Sequence, residues 1–355
     1  MARVFLHVGG HKTGTSYLQA MFHANAALLA RHGIHYPDIG PNNAHHALAA
    51  PWISTPDIPD AFFGPAGRKG LWDRLIAQYA DMPGTVFLSA ENFTRVRPQR
   101  VDMAQLAARL RAFGEVRVVY TMRQQVELLQ SLWMQVAKTR PAPNLRKYVK
   151  AGLSDRRGGG VPIDHSNVYT ALLEGFRPEE IRLVDYASMK NSEGGIVGTF
   201  LRLMDSDLKA DALAPLKSQE NANISPDPIE FFVATEIMNR EAPPPGDLIE
   251  TIRCAIRPGD APAATLLSRS EHSKLRRRFV NSNNSLVERV QPVQPGFVFD
   301  PGSVPPDLFF RDDLTTAHWT RVAAALYSRN VTATSAPRPL IRRILDRYQG
   351  VSGSS

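Results

Sequence analysis

Gly9-Gly10-His11-Lys12-Thr13-Gly14-Thr15-Ser16 places a lysine among three glycines and three hydroxyl side chains. That mixture suits an anion. Glycines let backbone N–H groups approach a phosphate, hydroxyls donate hydrogen bonds, and the lysine brings a cation. The stretch is close to the nucleotide-binding pattern G-x-x-x-x-G-K-[ST] and departs from it at one place. Gly9 and Gly14 have its spacing, but Thr15 follows the second glycine and the lysine comes two residues before it, at Lys12. Lys12 is therefore expected to reach over a phosphate from the strand side of the loop. A helix cap alone would need only the Thr or Ser. Further on, Arg123 precedes Ser131 by eight residues, Glu91 follows Ser89-Ala90, and His45 and His46 are adjacent. A guanidinium fork and a hydroxyl can converge on a second phosphate. A carboxylate or an imidazole can take a proton from a hydroxyl.

The elements around these residues must bring them to one edge. Val4 to Val8 reads as a buried parallel strand, and Leu18, Met21, Phe22, Leu28 and Leu29 recur at helical spacing over about four turns. Ile34 to Pro37 reads as a short strand, followed by a Pro- and Gly-rich passage to about Gly67 that carries the histidine pair. So long a loop is usually a binding segment. Leu71–Tyr79 is a short helix, Thr85–Ser89 a strand ending at Glu91, Val101–Phe113 a helix, Val116–Thr121 a strand ending at Arg123, and Gln124–Thr139 a helix bearing Ser131. Asn144 to Gly175 reads as irregular, and Ile181–Tyr186 and Gly195–Met204 as a further strand and helix. From Pro226 the pattern is helical, with segments Ile229–Asn239, Leu248–Ile256, Glu271–Val290 and Asp313–Arg329. Alternating strands and helices predict a P-loop-like three-layer α/β/α fold with a mainly parallel sheet, extended by C-terminal helices. Ligands of such sheets bind at the carboxyl ends of the strands. The expected organisation is one α/β domain over 1–290, with 291–355 packed on it as an extension and a flexible tail.

The chain has 355 residues and a formal net charge of +8, which favours anionic ligands. Lys and Arg are scattered, so nucleic acid is not expected as a partner. The dense run Lys274-Leu-Arg-Arg-Arg278 reads as a solvated helix face. The single cysteine, Cys254, excludes an intrachain disulfide and a cysteine metal cluster. No apolar stretch approaches the length of a membrane span, and the N-terminus enters a strand at once, so a cytoplasmic protein is expected. Leu340-Ile-Arg-Arg-Ile-Leu345 is basic and amphipathic, suited to packing on its own domain or to weak peripheral contact with a membrane.

Taken together, these residues resemble the sulfotransferases that use 3′-phosphoadenosine 5′-phosphosulfate (PAPS). The resemblance rests on His11-Lys-Thr-Gly-Thr-Ser16 after a strand, on Arg123 and Ser131, and on Asp185-Tyr-Ala-Ser-Met-Lys190. Asn221-Ala-Asn-Ile-Ser225 and Phe279-Val-Asn-Ser-Asn-Asn284 are similar to segments of bacterial members. It spans roughly residues 1 to 290. The strand end Ser89-Ala-Glu91, in place of Lys-Thr-His, is closer to the glycan and tyrosylprotein type than to the cytosolic type.

The resemblance implies PAPS as co-substrate and 3′,5′-ADP as product. His11, Lys12, Thr13, Gly14, Thr15 and Ser16 would hold the 5′-phosphosulfate, and Arg123 and Ser131 the 3′-phosphate. Lys12 would meet the charge that grows on the leaving phosphate, with no metal required. Either Glu91 or His46 would be the base for an acceptor hydroxyl or amine, most suitably on a carbohydrate or glycolipid. A P-loop-like small-molecule kinase and a non-catalytic nucleotide- or glycan-binding relative are the competing readings.

Overall fold

The computed structural model describes residues 1–40, 43–216, 226–257, 262–299 and 302–335. Its centre is a five-stranded, all-parallel sheet in the order β2-β3-β1-β4-β7. These are β1 (Arg3–His7), β2 (Ile34–His35), β3 (Thr85–Ser89), β4 (Val116–Met122) and β7 (Ile181–Asp185). β1 is the middle strand. From it the chain runs to β2 and β3 on one side, then crosses to β4 and β7 on the other. The loop after β1 therefore lies between the ends of β3 and β4, where parallel sheets take their ligands.

Side chains alternate across the sheet because strand residues point to opposite faces. Val4 and Leu6 join one core cluster, together with Val86, Leu88, Val118 and Tyr120. Phe5, Phe87 and Val119 join a cluster on the other face, packed against Leu18 and Phe22 of α1 (Thr15–Ala24). Helices α2 (Ala26–Arg31), α8 (Tyr186–Asn191) and α9 (Gly195–Leu203) lie on that second side, while α3 (Gly67–Tyr79), α4 (Met103–Leu110) and α7 (His165–Leu172) cover the first. This is the predicted three-layer arrangement.

A third cluster unites α5 (Gln125–Ala137), α6 (Leu145–Asp155), α10 (Pro228–Ile237), α11 (Gly246–Ile256) and α12 (Arg269–Val290). Trp133, Phe231 and Phe279 are its large buried members. The last helix, α13 (Thr316–Ser335), packs on α11 and contributes the buried Val322. The C-terminal helices thus buttress α5, and through it the end of β4.

The segment 144–175, read above as irregular, is ordered instead. Asn144 caps α6 by accepting from the Lys147 N–H, and Asp164 caps α7 by accepting from the Ser166 N–H. Between them, β5 (Arg157–Gly158) and β6 (Val161–Pro162) form a short antiparallel hairpin. Gly158, Gly159 and Gly160 make the segment loop-like in composition, while the Asn144 and Asp164 caps start a helix on either side. The first helical stretch is also divided, with Asn25 between α1 and α2. The segments 221–225 and 340–345 lie outside the described residues. No helix among the described residues is long and apolar enough to cross a membrane.

Candidate functional site

The loop joining β1 to α1 is shaped by backbone close to its neighbours. A Cβ on Gly10 would sit 1.9 Å from the Thr121 carbonyl oxygen of β4, and one on Gly9 would sit 2.6 Å from Cγ of Glu91. The loop is thus pressed against both flanking strand ends. Gly9, Lys12 and Gly14 all have positive φ, at 76°, 64° and 76°. Left-handed residues alternating with right-handed ones turn successive N–H groups inward, which makes a concavity for anions. Among the described residues, no side chain caps α1, and apart from a weak turn contact of the Thr13 N–H with the Gly10 carbonyl the N–H groups of residues 11–16 make no well-formed bond.

The hydroxyls divide. Thr13 and Thr15 are buried, and both donate to the Gly10 carbonyl, at 2.5 and 3.4 Å. They brace the loop, leaving their N–H groups for a ligand. Ser16 is exposed at the first turn of α1 and keeps its hydroxyl free among the described residues. The Lys12 ammonium donates to the Gln135 side-chain oxygen of α5 at 3.0 Å. Partial burial, Lys138 and Arg123 hold its pKa below the usual lysine value. No carboxylate within ion-pair distance neutralises it among the described residues.

Arg123 leaves the end of β4 and is held from four directions. It donates to the Lys12 carbonyl at 2.8 Å and to Glu127 at 3.0 Å, and it lies 5.3 Å from the centre of the Tyr186 ring. Its own carbonyl lies 2.8 Å from Nε2 of the buried His165, whose Nδ1 faces the Tyr120 hydroxyl at 2.8 Å. Burial pushes His165 down to about 4, so the ring is neutral and donates through Nε2. Ser131 stands on α5 one turn after Glu127 and one turn before Gln135. It is therefore on the helix face that meets both Arg123 and Lys12, and its hydroxyl has no partner among the described residues. Lys138 continues the same face.

α12 secures this arrangement from behind. Gln125, the first residue of α5, and Asn283 exchange side-chain amide bonds of 2.7 and 3.1 Å, both groups buried. Ser282 donates to the fully buried Asp164, which also receives Arg156. Beside Arg123 opens a cavity of about 590 Å³ that includes Gln124, Asp185, Ser188, Arg276 and Asn284 in its wall. In the run Lys274–Arg278, Lys274, Arg277 and Arg278 are exposed, while Arg276 faces that cavity.

The β3 side of the loop carries the remaining candidates. Glu91 Oε2 lies 3.4 Å from Nε2 of His46, an ion-pair contact rather than a well-formed hydrogen bond. Burial keeps the His46 pKa below the ordinary imidazole value against the opposing pull of Glu91. Neither Arg95 nor Arg97 forms an ion pair with Glu91. His11 is held down to about 4, chiefly by burial, and feels Glu91, Arg95 and His46 as charged neighbours. Two buried ring nitrogens here, His11 Nε2 and His46 Nδ1, have no hydrogen-bond partner among the described residues. Orphan buried groups of this kind are rare outside functional sites.

The two adjacent histidines have separate fates. His45 Nδ1 accepts from the Ser89 N–H at 2.9 Å, so its Nε2 must carry the proton donated to the Pro37 carbonyl at 2.7 Å. Buried and held down to about 4, His45 ties the long loop to β3. His7, also buried, bridges Ser89 and Thr121 beneath the loop, and Gln19 of α1 donates to the Ser89 carbonyl. Sequence reasoning missed Gln19, Gln135, Lys138 and His165, and met Tyr186 only as part of the segment Asp185-Tyr-Ala-Ser-Met-Lys190. Only the 131, 135, 138 spacing on α5 could have exposed part of that set.

Among the described residues, no group of three or more His, Cys, Asp and Glu side chains is placed to hold a metal ion. No protein-family model matches the chain, and no curated protein matches it in sequence. Among solved structures, the chain is similar to a crystal structure of a sulfotransferase from Alicyclobacillus acidocaldarius, at 18% identity and a TM-score of 0.37, over 66% of this chain and 91% of that one. A likeness of that degree decides nothing about chemistry. Fold and site together define an α/β protein with a glycine-, lysine- and hydroxyl-rich loop at the carboxyl edge of a parallel sheet.

Proposed function

We propose that this protein transfers a sulfuryl group from PAPS to a hydroxyl of a carbohydrate or glycolipid. The observation that carries the proposal is the direct bond between Arg123 and the Lys12 carbonyl. It joins a loop whose N–H groups are largely unpaired to a guanidinium on the same side as a free serine hydroxyl, so two candidate anion sites share one frame. A nucleotide phosphorylated at both the 5′ and 3′ positions fits such a pair. The N–H groups of residues 11–16 and the Ser16 hydroxyl hold the 5′-phosphosulfate, and Arg123 and Ser131 hold the 3′-phosphate.

In the transfer, the acceptor oxygen forms a bond to sulfur as the bond from sulfur to the 5′-phosphate oxygen breaks. The acceptor proton passes to Glu91, which His46 orients, and the charge left on 3′,5′-ADP is met by Lys12. Most of the acceleration in such chemistry comes from positioning and charge stabilisation.

Thermal unfolding with nucleotides tests the donor site. 3′,5′-ADP should raise the melting temperature well above the shift given by 5′-ADP or AMP, because only it presents a 3′-phosphate. Equal shifts from all three would sink the assignment. Mg²⁺-dependent turnover of ATP would favour a kinase instead.

A further inference from the structure

We propose that Arg95 is the anion anchor of the acceptor site, and that the accepting sugar carries a carboxylate, as in a uronic acid, near the hydroxyl that is sulfated. The inference rests on the sulfuryl-transfer reading above and names the substrate class it would take.

The loop after β1 divides the site into two sides. Arg123, Ser131, Gln135 and Lys138 stand on the β4 and α5 side, where the donor's phosphates are accommodated. Glu91, His46 and Arg95 stand on the β3 side, which is left for the acceptor. Arg95 directly follows the 3-10 turn Glu91–Thr94 that begins with the proposed base. Its guanidinium lies against the β5–β6 hairpin, 3.2 Å from where a Cβ on Gly160 would be, and its charge acts on both His11 and His46. The side chain is half-buried, and its guanidinium has no carboxylate or hydrogen-bond partner among the described residues.

Neighbouring arginines differ. Arg100 pairs with Glu174, Arg156 with Asp164 and Arg157 with Asp155, while Arg97 is exposed. A partly desolvated guanidinium without a counter-ion, beside a base, is suited to bidentate capture of a ligand carboxylate. Glu91 does not serve as that counter-ion, because no ion pair forms between it and Arg95, and its contact is with the His46 ring.

Calorimetric titration of the 3′,5′-ADP-saturated protein with trigalacturonate, its full methyl ester and a triglutamate peptide tests this. Wild type should bind trigalacturonate about tenfold or more tighter than the ester or the peptide, a typical yield for one charged fork. Arg95→Gln should bring acid and ester within about twofold, and Arg95→Lys should fall between, since it keeps charge without the fork. Equal or absent binding of acid and ester by wild type, or a preference that survives Arg95→Gln, overturns the proposal. Triglutamate binding as tight as trigalacturonate also overturns it. A missing 3′,5′-ADP melting shift in wild type would strike the donor assignment instead.

Discussion

Lys12 adopts a left-handed backbone that non-glycine residues avoid, at a cost on the order of 1 kcal/mol. Such a conformation persists when surroundings impose it, and here the Arg123 guanidinium grips the Lys12 carbonyl. The ammonium contributes little to the core, so Lys12→Ala should leave the melting temperature nearly unchanged. Sulfate transfer from radiolabelled PAPS should nevertheless fall by roughly a hundredfold or more, the usual scale for losing one preorganised charge. Gly10→Ala should act differently. Its Cβ would collide with the Thr121 carbonyl at 1.9 Å, and backbone must move to relieve it. The expected result is loss of the 3′,5′-ADP shift in thermal unfolding. For the base, Glu91→Gln should abolish transfer at every pH. His46→Asn should lower it less and remove the fall in rate that begins below the ordinary imidazole range as His46 gains its proton.

At the scale of elements, α5 is the plank on which the proposed donor site rests. Its face carries Glu127, Ser131, Gln135 and Lys138 toward Arg123 and Lys12, and its first residue is clamped to α12 through the Gln125–Asn283 pair. Asn283→Ala leaves the Gln125 amide buried without partners, which costs about 1–3 kcal/mol. A lower melting temperature and weaker 3′,5′-ADP binding should appear together in calorimetry. Ser131→Ala should weaken 3′,5′-ADP while sparing 5′-ADP, because the hydroxyl meets only the 3′-phosphate. A variant that weakened both equally would place Ser131 elsewhere.

At the scale of the whole molecule, stability is tied to pH through histidines that fold in the neutral form. His7, His45 and His165 are fully buried and held down to about 4 from an ordinary value near 6.5, chiefly by burial. Below that ordinary value the unfolded chain binds protons that the folded chain refuses. Stability is therefore complete above about pH 6.5 and is lost as pH falls toward 4, by up to roughly 3 kcal/mol per histidine. Urea midpoints at pH 7.5, 6 and 5 should decline in that order, with the slope m unchanged. A flat profile would mean that these rings are solvated in the folded state.

The sequence by itself determined the order of strands and helices around the site, because buried runs such as Val116–Val119 and helical spacing such as Leu128, Leu132 declare their own local structure. It also displayed the loop around Lys12, since glycine, lysine and hydroxyl residues are close in sequence there. Only the tertiary structure decided what those residues face. His45 and His46 are indistinguishable in sequence, yet Pro37 and Ser89 claim one and Glu91 meets the other. Thr13 and Thr15 read as ligand hydroxyls, yet the fold turns both onto Gly10. Arg95 is one arginine among several until the chain brings acids to Arg100, Arg156 and Arg157 and, among the described residues, none to it. Local structure follows from near neighbours, but charge balance and hydrogen-bond partners are settled by how the chain folds, in some cases between residues tens of positions apart, as for Arg100 with Glu174 and His46 with Glu91.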